Sequence, residues 1–311
     1  MPSWTELNNE LAALPPDKRG PHLARQMHEL VGVLRAHTDR NVLFYASAYL
    51  QKPLVPGIFL SINGEDINGF MAGVHGLDFK RELLLLLHTP GGLAEAAETI
   101  VDYVWSKFPA IDALIPTYAM SAGTMIALGC DRIVMGRQSQ LGPTDPQLIF
   151  DNRPYSAHSI VAQFEEAKAD IANNKDMAHA WAPMLQRFGP ALLQEARRSL
   201  VYGRTMVARW LEQHMFKREK NAAEKAIRVA EFFGGESHGS HGRRINREEA
   251  RGQGLSVVDL EADQKLQELS LTLYHLATLA FENGPAAKIV ASSNGTMWVK
   301  NAQVEIVRAK G

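Results

Sequence analysis

The chain has 311 residues, with 33 Lys+Arg against 34 Asp+Glu and a formal net charge of −1. That balance excludes a global basic grip on nucleic-acid phosphates, and 46% hydrophobic residues excludes a disordered chain. The single cysteine, Cys130, rules out an intramolecular disulfide and fits a reducing compartment.

The opening stretch from Trp4 to Glu10 is too polar for a signal peptide. The longest aliphatic run, Leu83 to Leu87, is far short of a membrane span. The expectation is a cytoplasmic protein with no transmembrane segment. The N-terminal part is predicted helical: Leu23, Met27, Leu30, Val31 and Leu34 recur at helical spacing, and the apolar run from Val42 to Leu50 is read with them. Pro53 and Pro56 end that part. A short strand is predicted over Ile58–Ile62, then an Asn63-Gly64 turn and a loosely helical stretch through Val74.

The centre carries a sharper pattern. Leu83–His88 is apolar on both faces, as a strand buried in a parallel sheet must be. It runs into Thr89-Pro90-Gly91-Gly92, and a helix follows with Ala96, Ile100, Val104 and Phe108 on one face, broken by Pro109. Ile111–Thr117 reads as the next strand, Tyr118–Gly123 as a turn, Thr124–Gly129 as a short helix and Asp131–Gly136 as a third strand. Strand, turn and helix alternating in this way predict an α/β fold with a parallel core.

Beyond it, 138–154 reads as loop, and helices are predicted near Ala157–Asn173, Met177–Gln186, 190–216 and 217–233. A Gly/His-rich loop spans Gly234–Gly242. Asn246 is placed to cap a helix, with Glu249 at its third position as in a capping box. A strand at Leu255–Val258, a helix near Asp263–Phe281 and a hairpin turning at Asn294-Gly295 follow, with a further β-prone run at Val304–Val307.

Both glycine-bearing turns lie at carboxyl ends of buried strands, the edge where open α/β sheets build sites. Gly91 and Gly92 let backbone amides approach a ligand closely, and such amides can hold an oxyanion. Ser121, on the second turn, exposes a hydroxyl at a helix start beside the Ala122 amide. A nucleophile from one turn and an oxyanion donor from the other are what acyl transfer needs. Each turn alone reads equally as structure: a tight turn, or a serine helix cap.

The segments His88–Gly92, Tyr118–Thr124, Ala127–Met135 and Leu141–Gln147, with His241–Ile245 leading into Arg247–Ala250 and Gly254-Leu255, resemble the Clp-fold serine peptidases. Within them the sequence is most similar to the serine dehydrogenase proteinase family, related to ClpP, SppA and NfeD-type peptidases. The resemblance covers residues 55–260. It implies a ClpP/crotonase-type βαβ spiral with added N- and C-terminal helices and a C-terminal β-hairpin. The domains expected are 1–54 as a helical extension, 55–262 as the peptidase-like domain and 263–311 as a helix-and-hairpin extension.

By position, Ser121 matches the nucleophile, and Gly91, Gly92 and Ala122 match the oxyanion hole. The loop Leu141–Pro146, where ClpP carries its histidine, contains none here; Asp145 lies beside the corresponding position. Two bases stay open. Lys168 lies 47 residues after Ser121, near where SppA and NfeD-type enzymes place a lysine, yet Glu165, Glu166 and Asp170 crowd it. His241 lies just ahead of the closing helix and would need little tuning to act near neutrality. If His241 is the base, Asp145 can orient it, with Glu236 a weaker candidate for that role.

The resemblance implies a peptide or protein substrate, a homo-oligomer and no cofactor. No nucleic acid is expected as a partner. His238 and His241 lack a third ligand, so no metal is expected. His88 reads as a core histidine and Cys130 as a buried hydrophobe. Two rival functions are a crotonase-like acyl-CoA enzyme, which would not need Ser121, and an inactive scaffold or peptide-binding module.

Overall fold

The computed structural model describes residues 3–151, 153–189 and 191–302. In chain order it holds α1 (Trp4–Ala12), α2 (Pro16–Thr38), β1 (Asn41–Ser47), α3 (Asp66–Val74), β2 (Leu83–His88), α4 (Ala94–Trp105), β3 (Ile111–Ile115), β4 (Tyr118–Ala119), α5 (Ala122–Leu128), β5 (Arg132–Met135) and β6 (Gln140–Leu141). Next come β7 (Gln147–Phe150), β8 (Arg153–Ser156), α6 (Ala157–Asn173), α7 (Met177–Gln186), α8 (Leu192–Gln213) and α9 (Ala222–Gly234). The described chain then adds α10 (Arg247–Gly252), β9 (Val257–Asp259), α11 (Gln264–Asn283), β10 (Ala286–Ser292) and β11 (Met297–Asn301). It divides into two compact units, residues 1–141 with 244–311, and residues 142–243.

The first unit is built on a seven-stranded sheet in the order β11-β10-β1-β2-β3-β5-β9. The strands from β1 to β9 pair in parallel, and β10 and β11 add antiparallel. This is the α/β class with the parallel core that the strand–turn–helix alternation requires. The leucines Leu83–Leu87 are at most 1% exposed, and each fully buried leucine contributes about 2 kcal/mol of hydrophobic stabilisation. Alternation along the strands splits them between two faces. Val42, Phe44, Ala46, Leu84 and Leu86 join a core with Leu23, Met27, Val31 and Leu34 of α2 and Leu269, Leu273 and Leu276 of α11. On the opposite face Tyr45 stacks on Phe70 of α3 at 5.7 Å. β4 and β6 form a separate two-stranded parallel sheet.

The N-terminal reading needs correction at residues 42–50. Asn41–Ser47 is not helix but strand β1, every residue of it buried, between β2 and β10. An apolar run buried on both faces has no period that separates strand from helix; its long-range partners decide. Three of the seven strands, β1, β10 and β11, come from outside residues 55–262. The strand expected at Ile58–Ile62 is instead a 3-10 turn at Gly57–Phe59, followed by a single bridge from Ile62 to Gly92. The hairpin at Asn294-Gly295 is present, with Gly295 at φ +92°. The Val304–Val307 run lies outside the described residues.

In the second unit, the loop expected over 138–154 contains a hairpin, β7 paired antiparallel with β8. Its pattern is weak in sequence because these short strands are half-buried or exposed. Ala157 and Ile160 of α6 pack with Ala196 and Leu200 of α8. α8 and α9 are amphipathic, and Trp210, Leu211, Val229 and Phe233 are all at most 1% exposed.

Candidate active site

In the first unit, β2 delivers the chain into Thr89-Pro90-Gly91-Gly92. Gly91 has φ +96° and Gly92 φ +155°, conformations that L side chains rarely adopt. Space forbids a side chain as firmly as the dihedrals do. A Cβ on Gly91 would lie 2.5 Å from Met120 O and 2.6 Å from Ser121 Cβ, and one on Gly92 only 2.1 Å from Ile62 O. The glycine turn is therefore a bare backbone layer between the Ile62 segment and the serine turn.

Main-chain bonds hold the layers in register. Ile62 N donates to Gly91 O at 2.7 Å and Leu93 N to Ile62 O at 2.9 Å. Thr89 N donates to Tyr118 O and Met120 N to Thr89 O, both at 3.0 Å. The Gly91 amide is engaged by Thr89 Oγ1 at 3.2 Å. Among the described residues, the amides of Gly92 and Ala122 donate to no protein acceptor. Ala122 opens α5, so its amide has no intrahelical partner.

Ser121 occupies the position before Ala122 with φ 50° and ψ −118°. A non-glycine residue there costs about 1–3 kcal/mol, held in place by its surroundings. The surroundings are tight: Thr124 Oγ1 donates to Ala119 O at 2.6 Å, and Gly123 N to Met120 O at 2.8 Å. The Ser121 side chain accepts no capping bond from α5 and is half-buried.

In the second unit, Asp145 Oδ1 lies 2.7 Å from His241 Nδ1. The other oxygen, Oδ2, accepts from Gln147 Nε2 at 2.9 Å and from Ser156 Oγ at 3.2 Å. Burial pushes the Asp145 carboxyl up, but the His241 contact, the Ser156 hydroxyl and the nearby His158 outweigh it and hold the acid below its ordinary value. With Nδ1 donating to Asp145, the neutral His241 ring keeps its lone pair on Nε2. The pair lines a polar cavity of about 280 Å³ with Ser156, His158, Glu236 and Ser240. Lys168 is elsewhere: its side chain is 81% exposed, and its ammonium lies 3.7 Å from Glu165. The Lys168 ammonium is thus solvated and beside a carboxylate rather than enclosed in a site.

The remaining sequence candidates have structural partners. Glu236 pairs with His158 Nδ1 at 3.2 Å. His238 uses both ring nitrogens, Nε2 against Phe232 O at 2.5 Å and Nδ1 against Arg243 at 2.8 Å. Cys130 is buried, and burial with Asp112 and Asp131 nearby pushes its thiol well up. His88 is 1% exposed, with Nδ1 2.8 Å from Thr117 Oγ1 and its ring edge-on to Tyr274. Burial lowers it to about 3, so it stays neutral at working pH. Among the described residues, no group of three or more His, Cys, Asp or Glu could hold a metal ion. Sequence reasoning missed Thr89 and Ile62, which lock the glycine turn, and Ser156, which braces Asp145. Thr89 lies within the marked glycine turn without a role of its own being read from it, and Ile62 and Ser156 sit in no pattern that marks them.

Residues 57–181 match the family described as ClpP-like SDH-type serine proteinase. Two curated relatives, both from Methanocaldococcus jannaschii, are similar in sequence. The uncharacterized protein MJ0137 is 34% identical over 143 residues, 44% of this chain and 49% of the relative. The uncharacterized protein MJ1495 is 45% identical over 80 residues, 26% of each. The chain thus spans about half the length of one curated relative and a quarter of the other. Among solved structures, a mutant of the 1510-N membrane-bound stomatin-specific protease with a substrate peptide is similar at 20% identity and TM-score 0.37, covering 64% of this chain and 70% of that one. A second mutant of that protease is similar at 19% identity and TM-score 0.37, covering 72% of this chain and 90% of that one. At those scores the likeness says nothing about this chain's chemistry. The matched segment contains Gly91, Gly92, Ser121, Ala122, Asp145 and Lys168, while His241 lies beyond it.

Proposed function

We propose that the protein is a serine peptidase that cleaves peptide bonds through an acyl-enzyme on Ser121. The observation that carries this is the strained Ser121 turn laid against a side-chain-free Gly91-Gly92 backbone, with the Gly92 and Ala122 amides unspent. Strain of that kind persists only where the surroundings enforce it, and it clusters at active sites. In this reading Ser121 Oγ attacks the peptide carbonyl carbon while His241 Nε2 takes the hydroxyl proton. The amides of Gly92 and Ala122 hold the oxyanion, and Gly91 shapes the turn. The protonated His241 then gives its proton to the departing amine. Water attacks the acyl-enzyme with His241 again as base, which frees the acid and restores Ser121.

His241 is preferred over Lys168 because Asp145 already holds its ring in the tautomer a base needs, whereas Lys168 is solvated. The reading requires the His241 ring to reach the Ser121 hydroxyl in the working enzyme. The family resemblance supports a homo-oligomer as that working form, which native mass measurement tests. A fluorophosphonate probe tests the chemistry. Wild type is expected to label on Ser121, Ser121→Ala to lose all label, His241→Ala to lose at least about 100-fold in rate, and Lys168→Ala to keep the wild-type rate. A chain that never labels at any pH or oligomeric state overturns the proposal.

A further inference from the structure

A lysine–aspartate pair lies buried in the first unit, hydrogen-bonded to none of the catalytic candidates. Lys288 sits mid-strand in β10 with its side chain 2% exposed, and Asp66 opens α3 fully buried. Lys288 Nζ lies 2.9 Å from Asp66 Oδ1, 2.8 Å from Oδ2 and 2.6 Å from Ser61 O. Tyr45 donates to Asp66 Oδ2 at 3.2 Å, and Asn63 N to the same oxygen at 2.9 Å. Ser47 Oγ also donates to Leu60 O. So the backbone is gripped from the sheet side at Leu60, Ser61 and Asn63.

Ile62, between the gripped residues, is the one that faces the glycine turn. Its N–H bonds Gly91 O and its carbonyl accepts from Leu93 N. Its backbone also fills the space a Gly92 Cβ would need. A buried ion pair is a weak source of stability, since apolar residues of like volume hold a core as well or better. What an apolar pair cannot do is hold a backbone carbonyl and a backbone amide of a loop at fixed distances.

We propose that Lys288 and Asp66 are positioning residues for the oxyanion hole: they clamp residues 60–63 so that Ile62 sets where the Gly91-Gly92 turn, and hence the Gly92 amide, stands beside Ser121. This rests on the serine-peptidase reading above. An oxyanion donor must be placed within a few tenths of an ångström, and a displacement near 1 Å from a remote change costs on the order of 100-fold.

The test uses the full chain and a fluorophosphonate probe at varied concentration, so that binding of the probe and its reaction with Ser121 are separated. Lys288→Met and the paired Asp66→Asn/Lys288→Met variant are compared with wild type; the pair leaves no buried charge unmatched if the single variant does not fold. Folded variants are expected to lose roughly 10- to 100-fold in the maximal labelling rate, with the half-saturating probe concentration and the pH profile unchanged. Hydrogen exchange is expected to quicken at Ile62 and Leu93 while β2 and β3 stay protected. A folded variant that labels at the wild-type rate, or loses protection equally in β2 and β3, overturns the positioning role. Failure of both variants to fold shows that the pair is structural and overturns it too. A wild type that never labels overturns the peptidase reading and this inference with it, so the two failures are told apart.

Discussion

His88 makes the stability of the first unit depend on pH in a way that can be calculated. The ring is 1% exposed, its Nδ1 faces Thr117 Oγ1 at 2.8 Å, and its Nε2 has no hydrogen-bond partner among the described residues. Protonation would leave a buried N–H⁺ unanswered, so burial lowers the group from 6.5 to about 3. The folded-state value is depressed. Stability is therefore complete above 6.5 and falls as pH drops toward 3, because the unfolded chain binds a proton that the native ring refuses. The slope is about 1.4 kcal/mol per pH unit, which gives a loss of about 2 kcal/mol at pH 5 relative to pH 7. His88→Asn keeps an acceptor for Thr117 and removes the titration. Urea unfolding of both proteins at pH 7, 6 and 5 should show the wild-type advantage shrinking by about 2 kcal/mol across that range. The His88 ring protons should also hold constant NMR shifts from pH 8 to pH 5. Parallel stability curves, or a ring that titrates with a midpoint near 6.5, would refute the reasoning.

Three other outcomes follow from single positions. Ser121→Gly should be more stable than Ser121→Ala by about 1 kcal/mol in chemical denaturation, since relief of the φ 50° strain outweighs glycine's chain entropy; a less stable glycine variant would mean the turn is not strained. Gly92→Ala sets a Cβ 2.1 Å from Ile62 O. It should destabilise by roughly 1–3 kcal/mol and abolish fluorophosphonate labelling, and wild-type labelling in that variant would show the glycine turn is not part of the site. Cys130, buried with its thiol pushed well up, should react with iodoacetamide at pH 8 only after unfolding, as read by mass spectrometry of the intact chain.

The α/β class and both glycine-bearing turns were legible because they depend on local chemistry. The Leu83–Leu87 run is closed by Pro90-Gly91-Gly92 at strand length, too short for a helix, Gly91 and Gly92 accept dihedrals other residues refuse, and Ser121-Ala122-Gly123 is small enough for a sharp strand-to-helix turn. Residues 41–47 were not legible as strand, because a run buried on both faces carries no period and takes its identity from β2 and β10, far away in the chain. No pattern in the sequence singled out Lys288. Its partner Asp66 lies 222 residues away, and proximity in space, not any motif, joins them. Asp145 and His241, 96 residues apart, could be paired beforehand only by analogy with a catalytic triad; the contact itself is made by the fold. Residue identity and local conformation thus determined which groups this chain has available and where its backbone must turn. Which groups meet, which are buried, and therefore which protons are held or released were decided by tertiary packing, because desolvation and hydrogen bonding act through distances the linear order does not contain.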